Sequence, residues 1–313
     1  MANFLKTLFG FLVPLVLVFS VTEFMASRWY GKYLSLPGSY HVFERKRNNV
    51  EVLFVGDSHI LCCTDTGLVK NSYVLWWGAR DLYYSMKIIE QNISEMPRLK
   101  TIFVDLSYFS FSNMTAFYNP KQINNYFHMG ILPNVGYDYR YLSTLYSNSD
   151  ILWSTFSGTL LKKAGWKEPA PVPATGFGIV RQLNSEAEFI GHAKFKLPEH
   201  STPIRDRFKH PEFESMNQKY LEEIVASCQK NRKNLFIILP PQSSYYNQLF
   251  TYKTVFYADL KKFGDMNPGV KIYDYSDIYD DSLSYFRDSD HLNGKGASAF
   301  TRDYIHKLLT AAK

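Results

Sequence analysis

The chain has 313 residues, 46% of them hydrophobic and 20% charged, which excludes a disordered, collagen-like or disulfide-framework protein. The formal net charge of +6 is spread over dispersed Lys and Arg, and no nucleic-acid-reading module accompanies it, so nucleic acid is excluded as a partner. An acidic glycan or an anionic lipid surface remains compatible with that charge.

The N-terminus is apolar. Leu8 to Val21 carries no charge, and with Phe4, Leu5, Met25 and Ala26 the segment reaches about 20 residues, near the span of a bilayer core. Lys6 can snorkel at one end, and Glu23 falls in the opposite interface beside Trp29 and Tyr30. Pro14 kinks such a helix without forbidding it. A cleaved signal peptide is the rival reading. Glu23-Phe24-Met25-Ala26-Ser27 lacks a small-x-small cleavage site, which favours an uncleaved anchor. Residues 1–27 are therefore read as a membrane anchor, 28–49 as a polar linker containing the basic run Glu44-Arg45-Lys46-Arg47, and 50–313 as one α/β domain.

Within that domain, Val50 to Val55 is a short apolar run ending at Gly56 and predicts a buried strand. Ser72 to Trp77, ending at Gly78, predicts a second, and Asp81 to Met96 has helical spacing through Leu82, Met86, Ile89 and Ile93. Thr101 to Val104 predicts a third strand ending at Asp105. Glu214 to Lys230 predicts a helix, Leu235 to Leu239 a fourth strand stopped by Pro240-Pro241, and Val270 to Asp274 a fifth. A last helix carries Ala297, Phe300, Tyr304, Ile305, Leu308 and Leu309. Alternating strands and helices imply a parallel sheet covered on both faces. Between about 110 and 211 the regularity breaks down, and this stretch is read as an insertion forming a lid or partner surface. Its aromatic run Tyr137 to Tyr141 could stack on sugar rings or pack on the core.

Ligands collect at the carboxyl ends of parallel strands, which makes Gly56-Asp57-Ser58-His59, Gly78 and Asp105-Leu106-Ser107 neighbours around one crevice. Gly56 permits a tight turn that presents the Ser58 hydroxyl. Near the other end of the domain, Asp288-Ser289-Asp290-His291 precedes the final helix. The Asp-x-x-His spacing lets one turn aim Asp288 at Nδ1 of His291 and leaves Nε2 free to take a serine proton. Asp290 is a competing orienter, disfavoured because adjacent residues seldom hold that geometry. His59 reads either as a contact to acyl donor or sugar or as a structural residue, and Arg80 as a contact to an anionic substrate or a surface ion pair. His128, His192, His200 and His210 lack metal-ligand spacing, so no metal and no other cofactor is expected. Cys62, Cys63 and Cys228 read as buried thiols, since an odd count without CxxC spacing makes neither a zinc site nor a disulfide framework.

The opening Gly56-Asp57-Ser58 and the closing Asp288-Ser289-Asp290-His291 resemble the first and last blocks of the SGNH (GDSL-like) hydrolases, over about residues 50 to 310. That resemblance implies a flavodoxin-like three-layer α/β/α sandwich and a Ser58–His291–Asp288 triad. It also implies an oxyanion hole built from the amides of Ser58 and Gly78. The family's Gly-x-Asn-Asp block is replaced by Asp105-Leu106-Ser107-Tyr108, so a third donor is missing or comes from Ser107, Asn113 or the insertion. Asp57, His59, Arg80 and Ser107 are candidate substrate contacts. The N-terminal anchor, the degenerate third block, Pro240-Pro241 and the His291-Leu292-Asn293-Gly294-Lys295-Gly296 ending are similar to the membrane-anchored SGNH proteins of alginate and other exopolysaccharide O-acetylation. They are similar also to the lipoteichoic acid D-alanylation protein. This likeness implies a single-pass protein of the cytoplasmic membrane with its catalytic domain in the periplasm or outside the cell. The implied partners are an acylated envelope polysaccharide and a multi-spanning O-acyltransferase. The expected activity is that of a serine esterase or O-acetyltransferase; a catalytically weak scaffold of such a complex is the alternative.

Overall fold

The computed structural model describes residues 1–33, 40–76, 80–114, 129–132, 134, 143, 182–279 and 282–311. The chain divides into two compact units, Met1–Leu36 with Asn119–Pro169, and Pro37–Tyr118 with Ala170–Lys313.

In the first unit, helix α1 runs from Ala2 to Tyr33 with Pro14 inside it. Its Asn3–Arg28 portion, 26 residues with a mean hydropathy of 2.2, is long and apolar enough to cross a membrane, and none of its apolar window is buried against protein. The helix thus continues past the expected anchor boundary at residue 27.

The second unit is built on five parallel strands in the order β2-β1-β3-β4-β5. They are β1 (Val52–Gly56), β2 (Ser72–Trp76), β3 (Thr101–Asp105), β4 (Asn234–Leu239) and β5 (Ile272–Asp274). Parallel strands covered on both faces read as unbroken apolar runs, and β1 and β3 are buried at every position. Side chains alternate between the two faces. Phe54, Phe103 and Phe236 occupy matched positions on one face and stack in a row, with ring centroids 4.8 and 5.0 Å apart. Ile60, Leu61 and Cys63 of helix α3 (Ser58–Cys63) and Phe300, Ile305 and Leu308 of the C-terminal helices complete that layer. The opposite face buries Leu53, Val55, Leu75, Ile102, Val104, Ile237 and Leu239. Helix α4 (Leu82–Asn92) and the Glu212–Lys230 helix pack on each other and on that face. The result is the three-layer α/β arrangement expected from the sequence.

Two stretches differ from their sequence readings. Part of the expected linker forms a helix, α2 (Tyr40–Lys46), whose Tyr40 and Phe43 are buried; Phe43 packs on Tyr73 of β2 with ring centroids 5.4 Å apart. The expected irregular insertion contains a 22-residue helix, Glu186–Arg207, which includes Pro198 and Pro203. Proline disfavours helix interiors. Here the helix is held by burial of Phe189, Ala193, His200, Pro203 and Ile204 and by a Ser185 cap that accepts the Glu188 N–H. The final helix runs through a π turn, Thr301–Ile305, between Gly294–Phe300 and His306–Ala311.

Candidate active site

At the carboxyl end of β1 the chain turns sharply into α3. A Cβ at Gly56 would overlap the carboxyl of Asp105, which lies against it from the end of β3. Glycine is required there by close approach of a neighbouring strand, not by an unusual backbone angle. Asp57 caps α3: its Oδ1 accepts the His59 N–H at 2.7 Å. Ser58 is the first helical residue, so its own N–H has no acceptor within the helix. Its side chain is partly exposed, whereas the groups around it are buried.

The other half of the site is the turn Arg287 to Asn293. One oxygen of Asp288 organises it, accepting the backbone N–H of His291 at 2.9 Å and of Asp290 at 3.2 Å. The turn is fixed from outside by Ser243, whose hydroxyl donates to the Ser289 carbonyl at 2.6 Å. Asn293 then caps the next helix through the Gly296 N–H at 3.0 Å. A Cβ at Gly296 would overlap the Tyr285 carbonyl, so this close packing also depends on glycine.

These two elements bring Ser58, His291 and Asp288 into one chain. Ser58 Oγ lies 2.8 Å from His291 Nε2, and His291 Nδ1 lies 2.9 Å from Asp288 Oδ1. Arg287 Nε donates to the other Asp288 oxygen at 3.1 Å. Burial opposes ionisation of Asp288, but the His291 ring and Arg287 more than offset it and hold the carboxyl below the usual carboxylate range. The arrangement has the geometry of a nucleophile, its base and an orienter.

Beneath Ser58 lies a second polar layer. His59 Nδ1 is 2.9 Å from Asp57 Oδ1 and 3.0 Å from Ser107 Oγ, and Ser107 donates to Asp57 Oδ2 at 3.1 Å. Asp105 accepts the N–H groups of Asp57 and Ile60 at 3.3 and 3.1 Å. Burial disfavours a charge on His59, but Asp57 and then Asp290 raise it well above its ordinary value, which favours the imidazolium. Burial also opposes the Asp57 carboxylate, and the His59 charge overcomes it and holds Asp57 far below its usual range. Asp105 is pushed well above the carboxylate range by burial and by the neighbouring Asp57 charge.

The candidate substrate contacts Asp57, His59, Arg80 and Ser107 are all buried. Asp57, His59 and Ser107 are buried and turned toward one another, so they hold the turn from within. Ser107 in particular is not aimed at an oxyanion. Arg80 is 5% exposed instead of lying in a surface ion pair, and its Nη1 donates to the Leu75 carbonyl at 2.8 Å. Asn113 is buried away from this layer, where its carbonyl accepts from Asn217 at 3.1 Å. Gly78, His128 and the Tyr137 to Tyr141 run lie outside the described residues.

Asp290, His192 and His200 enter the site although the sequence reading set them aside. Asp290 is fully buried. Its Oδ1 is 3.6 Å from His291 Nδ1 and 3.7 Å from His192 Nδ1, and its Oδ2 is 3.6 Å from His59 Nε2 and 3.9 Å from His200 Nε2. His192 and His200 are eight apart on the Glu186–Arg207 helix, about 80° apart around its axis and so within one broad stripe. That spacing was the available signal. Ligand atoms of His59, Asp290 and His291, of Asp57, His59 and Asp105, and of His192, Asp288 and Asp290 approach within 4.8 Å of one another. Their nearest contacts pair imidazoles with carboxylates, as in the His291–Asp288 and His59–Asp57 hydrogen bonds. Cys62, Cys63 and Cys228 are buried free thiols.

No family model matches the chain, and no curated protein matches it. Among solved structures, the chain is similar to a Bacteroides fragilis protein provisionally described as an acylhydrolase. That similarity has 8% identity and a TM-score of 0.43, covering 88% of this chain and 98% of the other.

Proposed function

We propose that the protein is a serine esterase or O-acyltransferase of the SGNH type, and the observation that carries this reading is the Ser58–His291–Asp288 chain. His291, held in its Nδ1–H tautomer by Asp288, takes the Ser58 proton as the serine oxygen attacks an ester carbonyl. The Ser58 N–H, free of any acceptor within α3, faces the developing oxyanion. The expelled alcohol leaves with the proton from His291. Water or a sugar hydroxyl then resolves the acyl-serine by the reverse sequence.

The finer reading follows the sequence resemblance. It makes the substrate an O-acetylated envelope or secreted polysaccharide and makes α1 an uncleaved single-pass anchor in the cytoplasmic membrane. The catalytic unit then lies in the periplasm or outside the cell, beside a multi-spanning O-acyltransferase. A second reading, a catalytically weak scaffold of that complex, is favoured by one observation: Ser107, which stands where the family carries a donor block, is turned inward to Asp57 and His59. Turnover of p-nitrophenyl acetate by the detergent-solubilised chain, with and without a glycan acceptor, separates these readings. Activity lost in Ser58→Ala and His291→Ala supports the enzyme, and acetyl transfer to the glycan makes it a transferase. Wild-type turnover no greater than that of the two variants leaves the scaffold.

A further inference from the structure

His291 has a second carboxylate beside it. Asp290 divides its oxygens between two parallel imidazoles, Oδ1 at 3.6 Å from His291 Nδ1 and Oδ2 at 3.6 Å from His59 Nε2. Those two rings stack at 4.8 Å between centroids. Both separations from Asp290 exceed a hydrogen bond, and Asp288 already occupies the His291 Nδ1–H at 2.9 Å. Asp290 therefore acts on His291 through its charge, not as the orienter.

We infer that Asp290 is a positioning residue for the proposed acyl transfer: its carboxylate, set between the stacked His59 and His291 rings, favours the protonated form of His291 that arises when Ser58 gives up its proton. This rests on the Ser58–His291–Asp288 reading.

The charges facing His291 come from three directions. The turn into α3 supplies Asp57 and the imidazolium of His59. The turn before His291 supplies Arg287, Asp288 and Asp290. The Glu186–Arg207 helix supplies His192, the Lys196–Glu199 pair and His200. Burial lowers His200 to about 4, and burial with the Asp57 charge pushes Asp105 well above the carboxylate range. Burial also keeps the Tyr246 and Cys62 side chains in their neutral forms. Lys196 and Glu199 offset one another toward the surface. Asp57, Asp288 and Asp290 are thus the carboxylates set around His59, Arg287 and His291. When His291 takes the Ser58 proton, the negative charge passes to the oxyanion of the attacked ester and the new imidazolium is left beside Asp288 and Asp290. Without Asp290 that imidazolium would lie on the His59 ring with one carboxylate fewer beside it.

The test is the pH dependence of p-nitrophenyl acetate hydrolysis by the full-length chain. Asp290→Asn is expected to lower kcat about tenfold with KM nearly unchanged. Its acid limb should move to lower pH by about one unit, because the base loses a neighbouring negative charge. His59→Gln removes a positive charge, so its acid limb should move to higher pH. The double variant restores the wild-type charge balance, and its acid limb should return toward the wild-type position. A structural role alone would not give opposite shifts that cancel. Acid limbs that stay in place in both single variants, or a double variant displaced further than either, would overturn the role of Asp290 while leaving the triad standing. Wild-type hydrolysis that survives Ser58→Ala unchanged would remove the triad reading, and the role of Asp290 with it.

Discussion

His59 and His291 lie ring on ring, 4.8 Å between centroids and 11° from parallel, although 232 positions separate them in the chain. One ring belongs to the turn that carries Ser58 and the other to the turn that carries Asp288. Their stacking holds the two halves of the site in register, with Asp57, Ser107 and Asp290 set around them. Four consequences can be measured.

Gly56→Ala places a methyl group where the Asp105 carboxyl sits. Because both strand ends are fixed by sheet pairing, the overlap cannot be relieved cheaply. The substitution is expected to cost about 1–3 kcal/mol in urea denaturation. Combined with Asp105→Ala it should cost less than the two single changes added together.

Ser107→Ala distinguishes a supporting hydroxyl from an oxyanion donor. The hydroxyl is bound to Asp57 and His59, so its loss is expected to cost about 1–2 kcal/mol of stability. The effect on kcat should be under about tenfold. Loss of a true oxyanion donor would lower kcat by about 10²–10³ and leave stability nearly unchanged.

The imidazolium of His59 predicts a stability profile. Its folded pKa is raised above the unfolded value, so its contribution is present below about pH 6.5 and is lost as pH rises through the folded value. Asp57 and Asp290 have depressed folded values, so their contribution is present above about pH 4 and is lost as pH falls through those values. Thermal unfolding midpoints should therefore be highest between the two limits. His59→Gln should flatten the alkaline limb; a limb as steep as that of wild type would remove the imidazolium assignment.

Burial raises the Cys62 and Cys228 thiols to about 12 and Cys63 well above its ordinary value. Thiolate is the reactive form. Iodoacetamide is therefore expected to leave both the thiols and the esterase activity of the native protein intact, and to alkylate three cysteines after denaturation. Rapid modification of the native chain would contradict this.

Much of this arrangement was legible in the sequence, for a definite reason. Strands of a parallel sheet buried on both faces are apolar throughout, so Val52 to Gly56 and Thr101 to Asp105 stand out without periodicity. The Asp288-x-x-His291 turn is local, and its geometry follows from its spacing. What stayed hidden depends on distance along the chain. The contacts of Asp290 with His192 and His200 join segments about 90 residues apart, and their helix is disguised by Pro198 and Pro203. Asp57 and His59 flank Ser58, and the sequence leaves open whether they meet substrate or hold the turn. Only the fold shows that the helix turn directs them inward, toward Ser107.

The most direct measurement is mass-spectrometric location of the adduct formed when the full-length chain is treated with a fluorophosphonate. The triad predicts one adduct, on Ser58, formed at least a hundredfold more slowly in His291→Ala. An unlabelled Ser58 in the folded wild-type chain, or labelling that ignores the loss of His291, would contradict the proposed enzyme.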